Sequence, residues 1–86
     1  MKQIEYTITD EYGIHARPAG ILVKKMQEFD SDITITKGEK TVSLKKLFAL
    51  MGLAVKNGDT ITITADGTDE TKAIKSAEDT LKAEGL

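Results

Sequence analysis

The chain predicts an α+β fold: a two-layer sandwich in which an antiparallel sheet is covered on one face by helices. Three observations carry this. Short segments alternate apolar and polar residues with a period of two, as half-buried strands do. Helix-period segments lie between them, in the order β-α-β-β-α-β-α. Because each strand pattern leaves one face polar, the sheet reads as antiparallel with one wet face, and the helices are left to cover the other.

The elements follow in order. "IEYTIT" sets Ile4, Tyr6 and Ile8 on one face and Glu5 and Thr7 on the other. "DEYG" is a loop rich in turn formers. A helix then opens between Ala16 and Pro18, since proline lacks only an N–H that the first turn would leave unpaired and biases Arg17 away from helical angles. Leu22, Val23, Met26 and Phe29 follow at helical spacing toward a core, and "DSD" ends the segment. "ITIT" and "KTVSL" flank "KGE", a hairpin built on Gly38. "KKLFALMGLAV" is a short helix reaching Gly52 or beyond, and "KNGD" is a turn. "TITITA" points Ile61, Ile63 and Ala65 inward. The last helix presents Ala73, Ile74, Ala77 and Leu81 on one face, with Asp69 and Glu70 suited to its start and Gly85 to its end.

Composition narrows the functional classes. A length of 86 residues argues for one domain, residues 1–86. With no cysteine, neither a disulfide nor a thiolate metal site is available, and a single histidine leaves zinc without a ligand set. Twelve basic against 14 acidic side chains give a formal charge of -2, which does not favour general binding to nucleic acid or anionic membranes. RNA readers that stack bases on sheet aromatics are a poor match, because the four aromatics, Tyr6, Tyr12, Phe29 and Phe48, form no basic sheet motif. No apolar run reaches the length of a membrane span, and "MKQIEYTITD" has no apolar signal core, so a cytoplasmic protein without membrane insertion is expected. A monomer is the default.

The only histidine and the only proline stand three residues apart in "YGIHARPAGILVKKM", with Arg17 between them. His15 falls where a loop meets a helix N-terminus, an end with unpaired N–H groups and partial positive charge that suits phosphate. Arg17 adds a fork of donors matched to phosphate oxygens. A neutral ring nitrogen can accept a phosphoryl group, and the helix end and Arg17 can hold the resulting dianion. Each residue alone has a plainer reading: His15 as a surface polar group, Arg17 as a solvated charge, Pro18 as a helix starter. No Ser-His-Asp arrangement is visible.

"GIHARPAG" closely resembles the active-site segment of the HPr family, the histidine-containing phosphocarriers of the bacterial sugar phosphotransferase system. The similarity runs from "YTITDEYGIHARPA" through "KTVSLKKLFALMGLAVKNGDTITITADGTDE" to "KAEGL". The resemblance implies an open-faced sandwich of four antiparallel strands with three helices on one side. It implies that His15 takes a phosphoryl group on Nδ1 from phosphorylated enzyme I and passes it to a sugar-specific enzyme IIA, with no cofactor. Ala16, Arg17 and Pro18 would hold the phosphoryl group through backbone N–H groups, the guanidinium and a fixed turn. Gly20, Leu47, Phe48 and Met51 match the family's docking face. The apolar density of "KKLFALMGL" supports that independently, since so short a helix cannot turn every side chain inward. Lys45, Lys46 and Arg17 would rim the face with positive charge.

Two positions depart from many relatives. Lys46 stands where Gram-positive members carry a regulatory serine, and Gly52 where some carry serine. Ser43 reads as a strand-end or cap residue rather than a substitute. A catabolite-repression role is thereby in doubt. A regulatory binding module, responding to the phosphorylation state of His15, is the alternative to the carrier; the retained His15–Arg17 pair favours transfer.

Overall fold

The computed structural model describes residues 1–86, in the order β1 (Lys2–Thr7), α1 (Ala16–Met26), β2 (Asp32–Lys37), β3 (Lys40–Ser43), α2 (Leu47–Gly52), β4 (Thr60–Asp66) and α3 (Glu70–Ala83). The four strands form one antiparallel sheet in the spatial order β1-β4-β2-β3. The expected α+β architecture is therefore present, with the last strand inserted between the first and the second.

That insertion decides what is buried. β4 is paired on both sides, with Ile63 opposite Ile4 on one flank and Ile35 on the other. Ile61, Ile63 and Ala65 are fully buried, as are Ile35 and, nearly, Ile33. The alternate positions, Thr34, Thr36, Thr62 and Thr64, point to the uncovered face. There, threonine hydroxyls pair across strands, Thr36 with Thr41 at 2.8 Å and Thr7 with Thr60 at 2.9 Å. At the β1 edge, Ile4 and Tyr6 lie on the inward face but are only half-buried, while Ile8, just past the strand, is fully buried. The β2–β3 connection is a two-residue hairpin over Gly38 and Glu39, with Gly38 at φ 61°.

α1 buries Pro18, Ala19, Leu22, Val23 and Met26. It is shorter than its apolar spacing suggests. Beyond Met26 the bonds tighten to Glu28 N–H to Lys25 O and Phe29 N–H to Met26 O, so Phe29 lies past the helix and is only partly buried. Lys45 Nζ donates to the Phe29 carbonyl at this frayed end. α3 likewise departs slightly from the expected face: Ala73, Ala77 and Leu81 are fully buried, but Thr80 takes the place expected for Ile74, which is half-buried.

Asp69 is the N-cap residue of α3, as expected, and its carbonyl accepts the Ala73 N–H at 2.9 Å, but its side chain caps no helix N–H. Its carboxylate instead accepts the backbone N–H groups of Asp30 and Ser31 and the Ser31 hydroxyl, tying the end of the α1–β2 connection to the start of α3. The Ser31 hydroxyl and the Asp30 N–H hold the Asp69 carboxyl below the usual carboxylate range.

No helix is long and apolar enough to cross a membrane.

Candidate functional site

His15 is the N-cap of α1, extended at φ -102° and ψ 175°, and its carbonyl accepts the Ala19 N–H at 3.0 Å. The helix begins at Ala16, so Ala16 and Arg17 occupy the first two helical positions and Pro18 the third. Pro18 has no N–H to leave unpaired. The Ala16 and Arg17 N–H groups have no acceptor within the protein, and both residues are exposed. The first turn contains no acidic residue and the last turn contains Lys24 and Lys25. The positive end of the helix is thus uncompensated, beside an imidazole that is itself 44% exposed on its side chain. Arg17 makes no salt bridge in the protein, which leaves its donors open to a ligand.

The loop before His15 is held from outside α1. Gly13 has φ 68°, the left-handed region that favours glycine. A Cβ there would also run into the Val55 carbonyl oxygen and come within 2.7 Å of Lys56 Cα. The backbone approaches that closely because the Ile14 N–H donates to the Val55 carbonyl at 3.1 Å. Ile14 itself is buried, so it anchors the residue before His15 in the core.

The second group of expected site residues lies on α2, which packs against α1 and β3. Leu50 is 1% exposed and Leu53 is buried just beyond the helix, which fixes the inward side. Leu47 is half-buried against the core, whereas Met51 is 36% exposed and Phe48 is 89% exposed. Phe48 is the most exposed large apolar side chain of the protein, and Met51 stands three residues on, just under one helical turn away. Gly20 is half-exposed on α1 with open space where a Cβ would stand. The expected residues therefore group as a contiguous His15–Gly20 set and an α2 set, joined through α1–α2 packing and the Gly13–Val55 contact.

At the expected regulatory position, Lys46 is the N-cap of α2 and offers no side-chain cap bond. Ser43 ends β3, and its hydroxyl accepts the Lys45 N–H at 3.2 Å. It serves the strand-to-helix turn and caps no helix.

Two neighbours of His15 were not singled out by the sequence. Tyr12 and the imidazole form a T-shaped pair, with centroids 6.0 Å apart and planes at 78°. Asp10 brings Oδ2 to 3.7 Å from His15 Nε2. Both lie in a turn whose residues read only as turn formers, and nothing in their spacing reports which way the turn folds. No group of three or more His, Cys, Asp or Glu side chains is arranged to hold a metal ion.

Comparison with known proteins agrees with this geometry. The family model described as the PTS HPr component phosphorylation site matches residues 2–83. The histidine-containing phosphocarrier protein of Mycoplasma superposes with a TM-score of 0.97 at 41% identity, covering 99% of this chain and 97% of that one. The phosphocarrier protein HPr of Bacillus anthracis superposes at 0.85 with 34% identity, over 92% and 94% of the two chains. The Bacillus subtilis catabolite repression protein Crh, solved as a swapped dimer, gives 0.77 at 34% identity over 100% and 99%.

Proposed function

The chain belongs to the HPr family of phosphotransferase-system phosphocarriers, and from that premise we propose that it accepts a phosphoryl group on His15 from phosphorylated enzyme I and passes it to a sugar-specific enzyme IIA. The observation that carries the reading is the uncompensated start of α1, where the Ala16 and Arg17 N–H groups and the Arg17 side chain lie without protein partners beside the His15 ring. These donors suit a phosphoryl dianion that must be held without being hydrolysed.

In the transfer, the Nδ1 lone pair of His15 attacks the phosphorus carried by the donor histidine. The donor P–N bond breaks, its electron pair returns to the donor ring, and a new P–N bond forms on His15. The reverse exchange with the acceptor's nucleophile regenerates the free imidazole. The protein is the shuttle in this relay; the partners supply the remaining groups around the phosphorus. Gly20, Leu47, Phe48 and Met51 form the docking face, with Arg17, Lys45 and Lys46 as a basic rim that speeds encounter with acidic partners. The carrier acts as a cytoplasmic monomer.

The test is intact mass after incubation with phosphoenolpyruvate and a bacterial enzyme I, beside His15→Ala. One acid-labile phosphoryl group, absent in the variant, is the expected result. No adduct under conditions that charge a known carrier would overturn the reading. The likeness to Crh favours a second one, a regulatory module that binds its partner through the same α2 face. A partner whose capture changes when the wild-type protein is phosphorylated, and does not change when His15→Ala is treated in the same way, would favour it.

A further inference from the structure

The turn before His15 holds one carboxylate in a fixed position. The Asp10 carbonyl accepts the Gly13 N–H at 3.0 Å, and Asp10 Oδ1 accepts the Tyr12 N–H at 2.8 Å. Oδ2 is left without a hydrogen bond in the protein and stands 3.7 Å from His15 Nε2, with the Asp10 side chain only 21% exposed. That separation is an ion-pair distance, longer than a direct hydrogen bond. Such contacts commonly tighten only when the reacting complex forms. No other acidic group lies within 4.0 Å of the ring nitrogens, and the Tyr12 ring stands T-shaped to the imidazole.

A carboxylate can only accept a hydrogen bond, so the ring nitrogen that faces it is the one favoured to carry the proton. A neutral imidazole has one such proton. With it on Nε2, the Nδ1 lone pair is free. Resting on the phosphocarrier reading, we infer that Asp10 is a positioning residue for His15: Oδ2 selects the Nε2–H tautomer, leaves Nδ1 as the nucleophile, and steadies the positive charge that the ring gains on phosphorylation. The proton stays on Nε2 throughout. Only the phosphorus changes nitrogen, and the electron pair of the broken bond returns to the donor.

Asp10→Asn tests this sharply. Its Oδ1 can still accept the Tyr12 N–H, so the turn persists, and the opposite orientation would set two donors against each other. The amide NH2 then faces His15 and favours a bare Nε2, which moves the proton to the nucleophilic atom. In 15N-labelled protein the two ring nitrogen shifts distinguish protonated from bare nitrogen. The expected result is a several-fold rise in the Nδ1–H tautomer and a fall of about tenfold in the rate of phosphorylation, the lower end for loss of an orienting partner because water reaches this ring. Glu11→Gln removes the same charge from the same turn at an exposed residue that makes no hydrogen bond, and should change neither readout. Wild-type nitrogen shifts in Asp10→Asn, or equal effects from Glu11→Gln, would overturn the inference. If the wild-type protein accepts no phosphoryl group while the shifts respond as expected, the carrier reading fails and the tautomer assignment stands.

Discussion

Phe48 and Leu50 lie two residues apart on a six-residue helix, yet truncating them should separate function from folding. Phe48 is 89% exposed, so Phe48→Ala removes almost no buried surface and should change folding stability by less than about 0.5 kcal/mol. Leu50 is 1% exposed, and Leu50→Ala should cost about 2–5 kcal/mol through lost burial and the cavity left behind. In a domain of this size each kcal/mol moves Tm by about 4–8 °C, so Leu50→Ala should melt at least about 8 °C lower and Phe48→Ala within a few degrees of the parent. Docking reverses the ranking. Covering a phenylalanine side chain contributes about 1.5–3 kcal/mol, so Phe48→Ala should raise the KM of enzyme I for this protein about 10- to 100-fold. The assays are thermal unfolding by circular dichroism and initial rates of phosphoryl transfer at varied carrier concentration. Leu50→Ala should show near-normal transfer at a temperature where it remains folded. An unchanged KM for Phe48→Ala would mean that the exposed ring does not meet the partner. A Tm loss as large as that of Leu50→Ala would mean that the ring packs on its own protein.

Three further outcomes follow from the backbone and from one carboxylate. Gly13→Ala should cost about 1–2 kcal/mol for the left-handed conformation and a further ~1–3 kcal/mol for the overlap with Val55 and Lys56, read as a lower urea midpoint; it should also slow phosphorylation of His15, and an unchanged midpoint would show that the loop relaxes freely. Ala54 has φ 52°, so Ala54→Gly should relieve strain and, after the added chain entropy of glycine, stabilise by up to about 1 kcal/mol in the same assay; a lower midpoint would refute the strain. The Asp69 carboxyl is held low by Ser31 and Asp30, so the unfolded chain takes up its proton first as pH falls. The stability this contributes is present above about pH 4 and is lost as pH drops through the depressed native value. Asp69→Asn should therefore flatten the acid limb of stability against pH, leaving the parts due to Asp59, which the Lys56 N–H and Lys37 hold low, and to Glu70, which the N-terminal amine and the Gly67 N–H hold low; an acid limb of parental slope would refute it.

What the sequence made legible follows from which forces act locally. Ile61, Ile63 and Ala65 alternate without interruption, and a strand paired on both sides buries such a face completely. The same pattern in β1 gave half-buried Ile4 and Tyr6, because alternation reports a face and says nothing of whether the strand lies at an edge. The placement of β4 between β1 and β2 is likewise a property of the assembled sheet. The His15–Arg17–Pro18 grouping was visible because helix starts are governed by residues adjacent in sequence. Asp69 and Glu70 fall at the start of α3 as the sequence predicts, Asp69 as its N-cap residue and Glu70 in its first turn, but the bonds of the Asp69 carboxylate to Asp30 and Ser31 span nearly forty positions, and no local pattern reports them. Asp10 was missed for another reason: a turn-forming aspartate and an orienting one look alike until the second carboxylate oxygen has a direction.

The two halves of the candidate face are also linked by bonds that run through residues with no chemical part to play. Lys37, at the end of β2, donates Nζ to the Leu53 and Ala54 carbonyls at 3.2 and 2.9 Å and pairs with Asp59 at 3.1 Å. That holds the chain leaving α2 in the left-handed turn at Ala54, and the next residue, Val55, offers the carbonyl that receives the Ile14 N–H. Ile14 then fixes the backbone immediately before His15. A helix start can supply open N–H groups by itself, but it cannot set where an N-cap side chain stands relative to a second helix. Here the Lys37–Ala54–Val55–Ile14 sequence of contacts does so, and it ties the imidazole to the loop that leaves α2 rather than to α1 alone. The cost is a non-glycine residue at positive φ, and the position of that strain, between the exposed Phe48–Met51 surface and the His15 loop, is where a rigid connection between docking and transfer would be needed.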